Sequence, residues 1–484
     1  MRFGAHDGTR LNPMTMPRST PAAEGVDGRG LLALLDAFET PGHGFHSIMI
    51  ARHGKVIAEG WWAPYDRDRV HLAYSLSKSF TATVLGELAG RGLIALDAPV
   101  WSYLADLDTI PEKWRRVTVR HCITMTVGHT EDAWDWRGDS EPTPRVLESD
   151  DELLPLILDR EPDGEPGEVW AYNQVGTYLV AQAIAAATGE PVTAHVRRLL
   201  DRFGGAAAKA QRTHQGRDLG FSGMCLTTPS ILALAQTWLD GGVWEGEWVV
   251  PTGFAPVAPQ PTAASLASTD VGDWSRGYGH SFWGQRHGYR GDGAFGQFAV
   301  VGPEQDVAVA ITSEVENMQE VLDLLWEHLI PAIDAETDPG ADAELARRLA
   351  DLAHRPLSGD ERRPPLTLPR DESSQLPAEF TSATLVPTES GHVLLLHQPS
   401  GPLTTRVGDG EWLESQWPTP RGPEVSVAAS GAWQGDVFTA ELRLVETPHT
   451  ILVELDPETG AARLNWRLEP LTGPSPLSTA ALAF

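Results

Sequence analysis

A chain of 484 residues, 41% hydrophobic and 21% charged, has the composition of a globular protein and the length for two or three domains. Its formal net charge of −29 repels phosphate backbones and anionic lipid surfaces, so neither nucleic acid nor a membrane surface is an expected partner. The first twenty residues lack the apolar core of a secretory signal and no apolar run is long enough to span a bilayer, so a cytoplasmic location is expected. The two cysteines, Cys122 and Cys225, carry no zinc-type spacing and fit a reducing compartment; Cys122, within CITM, reads as a core residue.

In chain order, DGRGLLALLDAFET predicts an amphipathic helix. FHSIMIAR and KVIAEGWW follow as two strands about a His53-Gly54 turn. In YSLSKSFTATVLGELAGRG the apolar residues Leu76, Phe80, Val84 and Leu88 recur every four positions, which predicts a helix with one buried face ending at Gly90 and Gly92. Residues 98–250 are mostly helical in pattern, as in VGTYLVAQAIAAATG and TTPSILALAQTWLDGG. Strands return at QFAVVG and VAVAITS around the turn PEQD, and the helix ENMQEVLDLLWEHL follows. Strands at both ends of a helical block predict one α/β domain over residues 1–340, its sheet completed by segments distant in sequence. Residues 341–375 read as a linker containing a charged helix and a Pro- and Arg-rich stretch. Residues 376–484 turn to period two (HVLLLHQ, EVSVAAS, VFTAELRLVE, TILVEL, ARLNWRL), which predicts a small all-β sandwich or barrel.

The chemistry starts at Ser75-Leu76-Ser77-Lys78. Residues three apart on a helix share a face, so the serine hydroxyl and the lysine amine can meet. A serine hydroxyl needs a neighbouring base, and a lysine can serve if burial lowers its pKa. With 26 serines and only four lysines the spacing by itself is weak, and its place at the head of an apolar helix adds the weight.

With HSIMIARHGKVIAEGWW, AYSLSKSF and GLIALDAPV before and after that motif, the chain resembles the serine β-lactamase and penicillin-binding-protein family, and within it the class C-like esterases and nylon-oligomer hydrolases. The resemblance runs from about residue 20 to 330, through VRHCITMTVGH and FGQFAVVGPEQDVAVAITS. It implies an antiparallel sheet flanked by helices with an all-helical insert, and a lipocalin-like β-domain for the last hundred residues. It also implies three motifs. Ser-x-x-Lys matches at Ser75 and Lys78. Tyr-x-Asn falls at Tyr172-Asn173-Gln174, making Tyr172 the phenol that relays the nucleophile's proton, with Gln174 in place of the usual Asn. The Lys- or His-x-Gly strand aligns with Gly291-Asp292-Gly293. Gly293 keeps the small residue beside which substrate approaches, while the cation that holds a substrate carboxylate is absent, though Arg290 is adjacent. Gln174, Asp292 and Gly293 are thereby the implied substrate-binding residues, and the backbone N–H groups of Ser75 and Ala294 the implied oxyanion hole.

Other readings are set aside. Residues 291–296 spell Gly-x-Gly-x-x-Gly but lead into strands rather than a helix, and no Gly-x-Ser-x-Gly elbow occurs. His129, Glu131, Asp132 and Asp135 lack metal-ligand spacing and read as a solvated loop; neither a metal nor a cofactor is expected. Trp134, Trp136 and Trp283 are candidates for a cleft wall or for packing. The expected function is hydrolysis of a small-molecule ester, amide or peptide through a Ser75 acyl-enzyme. The alternatives are acyl transfer of the peptide-cyclase type through the same intermediate, and a non-catalytic penicillin-recognising module.

Overall fold

The computed structural model describes residues 16–473 apart from 41, 133–151, 206–208, 214, 360, 373, 419–423 and 472. Asp27 caps α1 (Gly28–Phe38) by accepting from the Arg29 amide. β1 (Phe45–Arg52) and β2 (Lys55–Trp61) form a hairpin whose turn residues His53 and Gly54 lie at φ 51° and 72°, the left-handed pair that a two-residue turn between twisted strands requires. Four strands from much later in the chain complete the sheet: β3 (Trp283–Gln285), β4 (Gly288–Gly293), β5 (Gln297–Gly302) and β6 (Val307–Ser313). The order is β2-β1-β6-β5-β4-β3, antiparallel throughout, with Ile48 opposite Ile311 and Val309 opposite Val300.

Every residue of β1, β5 and β6 is buried, because both faces of the sheet are covered. Ile48, Ile50, Phe298, Val300, Val309 and Ile311 face one core with α1 and α6 (Met318–Leu324). The intervening Met49, Ala51, Ala299, Ala308 and Ala310 face the other, formed with the helical block α2 (Ser77–Gly90), α3 (Val175–Thr188), α4 (Val192–Arg202) and α5 (Thr228–Leu239). The alanines leave room for α5 to lie directly on the strands.

The one-faced burial expected for α2 is not what the fold gives it. Ser77–Gly86 are buried on every side, enclosed by α3, α4 and β4. The polar residues of the helix therefore carry internal hydrogen bonds: Ser79 Oγ donates to Ser281 O (2.8 Å), Thr81 Oγ1 to Gly220 O (2.7 Å) and Thr83 Oγ1 to Ser79 O (2.7 Å).

The last third is a nearly closed β-barrel of nine strands: β7 (Leu366–Pro369), β8 (Ser382–Thr388), β9 (Gly391–His397), β10 (Leu403–Gly408), β11 (Leu413–Trp417), β12 (Val425–Gln434), β13 (Val437–Leu444), β14 (Thr450–Asp456) and β15 (Ala461–Trp466). Gln375 bridges to Arg463 and draws the two edges together. Leu394, Leu396, Trp417, Val427, Phe438, Leu442 and Leu455 fill the interior. The residues read as a linker are built into both units. α7 (Pro339–Ala350) places Leu345 in the core beneath β2, Leu357 O accepts from Gly410 N and from Ser430 Oγ, and β7 is itself a barrel strand. Among the described residues no helix is long and apolar enough to cross a membrane.

Candidate active site

Between residues 70 and 86, Ser75 alone is not buried. It lies in the single 3-10 turn Tyr74–Leu76 that leads into α2, so the helix begins just after it and carries Lys78 one turn further on. The Lys78 ammonium, 1% exposed, has three donors and three partners: Ser75 Oγ at 3.0 Å, Gln174 Oε1 at 2.6 Å and Phe221 O at 2.9 Å. Burial pushes its pKa down to about 7, against the opposing pull of the Asp132 and Asp292 carboxylates.

Tyr172 and Gln174 stand just before and at the N-terminal boundary of α3. Burial and the nearby Asp292 carboxylate raise the Tyr172 phenol's pKa above its usual range, and the Ser75 hydroxyl opposes them. Its ring stacks on Trp283 (5.5 Å, 18°) and meets Tyr278 edge-on (5.8 Å), while the Lys78 Nζ lies 4.9 Å from its centroid. Trp283 is thus part of an aromatic wall behind Tyr172; Trp134 and Trp136 lie outside the described residues. Gln174 uses both ends of its amide within the protein. Oε1 accepts from Lys78, and Nε2 donates to Asp132 Oδ2 (3.1 Å), whose other oxygen accepts from the Gln174 backbone N–H (3.3 Å).

That bond to Asp132 is the feature the sequence did not signal. In the loop read as solvated, His129 is buried edge-on against Trp114 with Nε2 at 3.2 Å from Arg160 O, and Glu131 pairs with Arg160. Asp132 turns in toward Gln174. No cluster of metal-ligating side chains occurs among the described residues, and Asp135 lies outside them.

On β4 the alternation of a strand separates the third-motif residues. Arg290 and Asp292 share one face, where Arg290 Nε donates to Asp292 Oδ2 (3.0 Å), the guanidinium covers Trp274 (4.4 Å), and its Nη1 donates to Gly284 O (3.0 Å). Arg290 is fully buried and Asp292 is 8% exposed, so the adjacent cation is bound in an internal ion pair. Desolvation raises the Asp292 pKa and Arg290 opposes it. Gly291 and Gly293 point the other way. A Cβ on Gly291 would stand 2.4 Å from Ser79 Oγ, and one on Gly293 would stand 2.1 Å from Ala73 O and 3.1 Å from Leu76 N. The strand end that leads to Ala294 therefore abuts the turn carrying Ser75.

An antiparallel sheet with a helical block over one face, and at its edge a buried Lys78 beside the half-buried Ser75 and Tyr172, is the architecture of the β-lactamase fold. A family profile described as Beta-lactamase matches residues 39–329, more than half of the chain, and the protein belongs to that family. It is 24% identical over 289 residues to a 6-aminohexanoate-dimer hydrolase of Paenarthrobacter ureafaciens, covering 54% of this chain and 71% of that protein. Among solved structures, a family VIII carboxylesterase is 13% identical with a TM-score of 0.50, covering 64% of this chain and 99% of the other. EstCE1, described as a hydrolase with promiscuous acyltransferase activity, is 15% identical with a TM-score of 0.50, covering 63% and 98%.

Proposed function

We propose that the protein hydrolyses a small ester or amide through an acyl-enzyme on Ser75. The observation that carries this reading is the buried Lys78 amine 3.0 Å from the one solvent-reached hydroxyl of its segment. With its pKa lowered to about 7, Lys78 has a substantial neutral fraction near neutral pH and can take the Ser75 proton as Oγ attacks the carbonyl carbon. The opposite shift of Tyr172 keeps that phenol protonated, which suits it to pass a proton to the leaving group rather than to act as first base. The Ser75 and Ala294 backbone N–H groups would face the negative charge that develops on the carbonyl oxygen. The leaving alcohol or amine departs with a proton, and water then attacks the acyl carbon and regenerates Ser75. An amine in place of water would give acyl transfer from the same intermediate.

A fluorophosphonate should form one adduct per chain, located on Ser75 by peptide mapping and absent from Ser75→Ala, and p-nitrophenyl esters should be turned over by the wild type only. Labelling that persists in Ser75→Ala would overturn the assignment. Product analysis with an added amine separates hydrolysis from transfer.

A further inference from the structure

Two backbone turns meet at Ser75, and each is held in a conformation that side chains rarely adopt. Tyr74, immediately before Ser75, has φ 46°, and Phe295, immediately after Ala294, has φ 65°. Left-handed backbone at an aromatic residue persists only where its surroundings dictate it.

Both rings converge on one side chain of the barrel. His449, in the turn between β13 and β14, meets Phe295 edge-on at 4.8 Å and Tyr74 edge-on at 5.8 Å, and its Nε2 lies 2.6 Å from the Tyr74 hydroxyl. The ring is fully buried, and its Nδ1 lies 3.2 Å from Leu468 O. A carbonyl can only accept, so the proton sits on Nδ1 and Nε2 accepts from Tyr74. The turn is tied to the hydrolase unit as well: Leu72 N donates to Glu446 O (2.8 Å), and the Glu446 carboxylate pairs with Lys209 (2.8 Å).

We propose that His449 is a positioning residue for the acyl-transfer site. Through Tyr74 and Phe295 it fixes the turns presenting the backbone N–H groups of Ser75 and Ala294. The inference rests on the reading of Ser75 as nucleophile given above. It gives the barrel a part in catalysis by the hydrolase unit, and it explains a histidine set between two aromatic rings: the buried phenol needs an acceptor, which an apolar side chain would not supply.

The test uses the full-length chain, with kcat expressed per site titrated to completion by fluorophosphonate. His449→Ala should lower per-site kcat on a p-nitrophenyl ester about tenfold or more with KM changed by less than about twofold, the signature of lost transition-state contacts. Tyr74→Phe, which removes one oxygen, should lower it about threefold or more, and His449→Gln, which restores an acceptor, should recover part of the loss. Per-site kcat within about twofold of wild type in both His449→Ala and Tyr74→Phe overturns the proposal, even if melting temperature or the titratable fraction falls. Should His449→Ala not fold, Tyr74→Phe decides in the same way. Failure of the wild type to label at Ser75 would instead overturn the nucleophile reading, before any variant is compared.

Discussion

Lys78 is in competition with itself: three good acceptors favour the ammonium, and complete burial disfavours it. Burial wins, to a pKa of about 7. On the proposal that the neutral amine is the base, kcat/KM should rise with pH through a midpoint near that value, and Lys78→Ala should lower kcat by about a hundredfold or more. Asp132 acts on this limb in two ways. It turns the Gln174 amide so that oxygen faces Lys78, and its charge favours the ammonium. Asp132→Asn should therefore move the midpoint to lower pH. A pH–rate profile unchanged in Asp132→Asn, or activity falling through pH 7, would contradict this account.

At the scale of the element, β4 bears on the third motif that the family resemblance placed at Gly291-Asp292-Gly293. The strand runs so close to the start of α2 that neither Gly291 nor Gly293 has room for a Cβ, and at Gly293 the obstructing atoms are backbone. Gly293→Ala should push β4 off the turn carrying Ser75, lowering kcat about tenfold or more in stopped-flow acylation, with destabilisation of about 1–3 kcal/mol. Gly291→Lys, which restores a cation at the aligned position, should be destabilised in the same way and gain no β-lactam turnover. Nitrocefin hydrolysis by Gly291→Lys within tenfold of the wild type's best ester rate would overturn the reading.

At the scale of the whole molecule, the two units meet across polar groups. Glu314, at the end of β6, accepts through Oε1 from Thr450 N (3.1 Å) and Leu468 N (3.3 Å) of the barrel. Burial pushes its pKa up to about 7 from a model-compound value of 4.5, with the Arg443 and Arg467 cations pulling the other way. Between those two values the unfolded chain releases a proton that the folded chain keeps, so this group's contribution to stability falls as pH rises from about 4.5 to about 7. Glu314→Gln keeps the acceptor and removes the titration. Its melting temperature relative to wild type should therefore increase between pH 4.5 and pH 8, and a pH-independent difference would contradict the assignment. The same contacts, with α7 packed in the hydrolase core and β7 in the barrel, predict that the two units unfold together rather than as fragments released by cutting near Arg362.

The hairpin at His53-Gly54, the apolar-rich strand runs, the Ser75–Lys78 spacing and the period-two pattern of the barrel were all legible in the sequence, because each is a local regularity of backbone geometry or side-chain spacing. The family resemblance added Tyr172 and the order of the motifs. What only the tertiary structure decided is long-range: the burial of α2 on every side, the turn of Asp132 onto Gln174, the capture of Arg290 by Asp292, and His449 seated on Tyr74, 375 residues away in the chain. Periodicity reports which face of an element is apolar. It carries no record of which polar group, from which distant turn, comes to rest against it, and in this protein such encounters bring Asp132 to Gln174 beside Lys78 and His449 to Tyr74 beside Ser75.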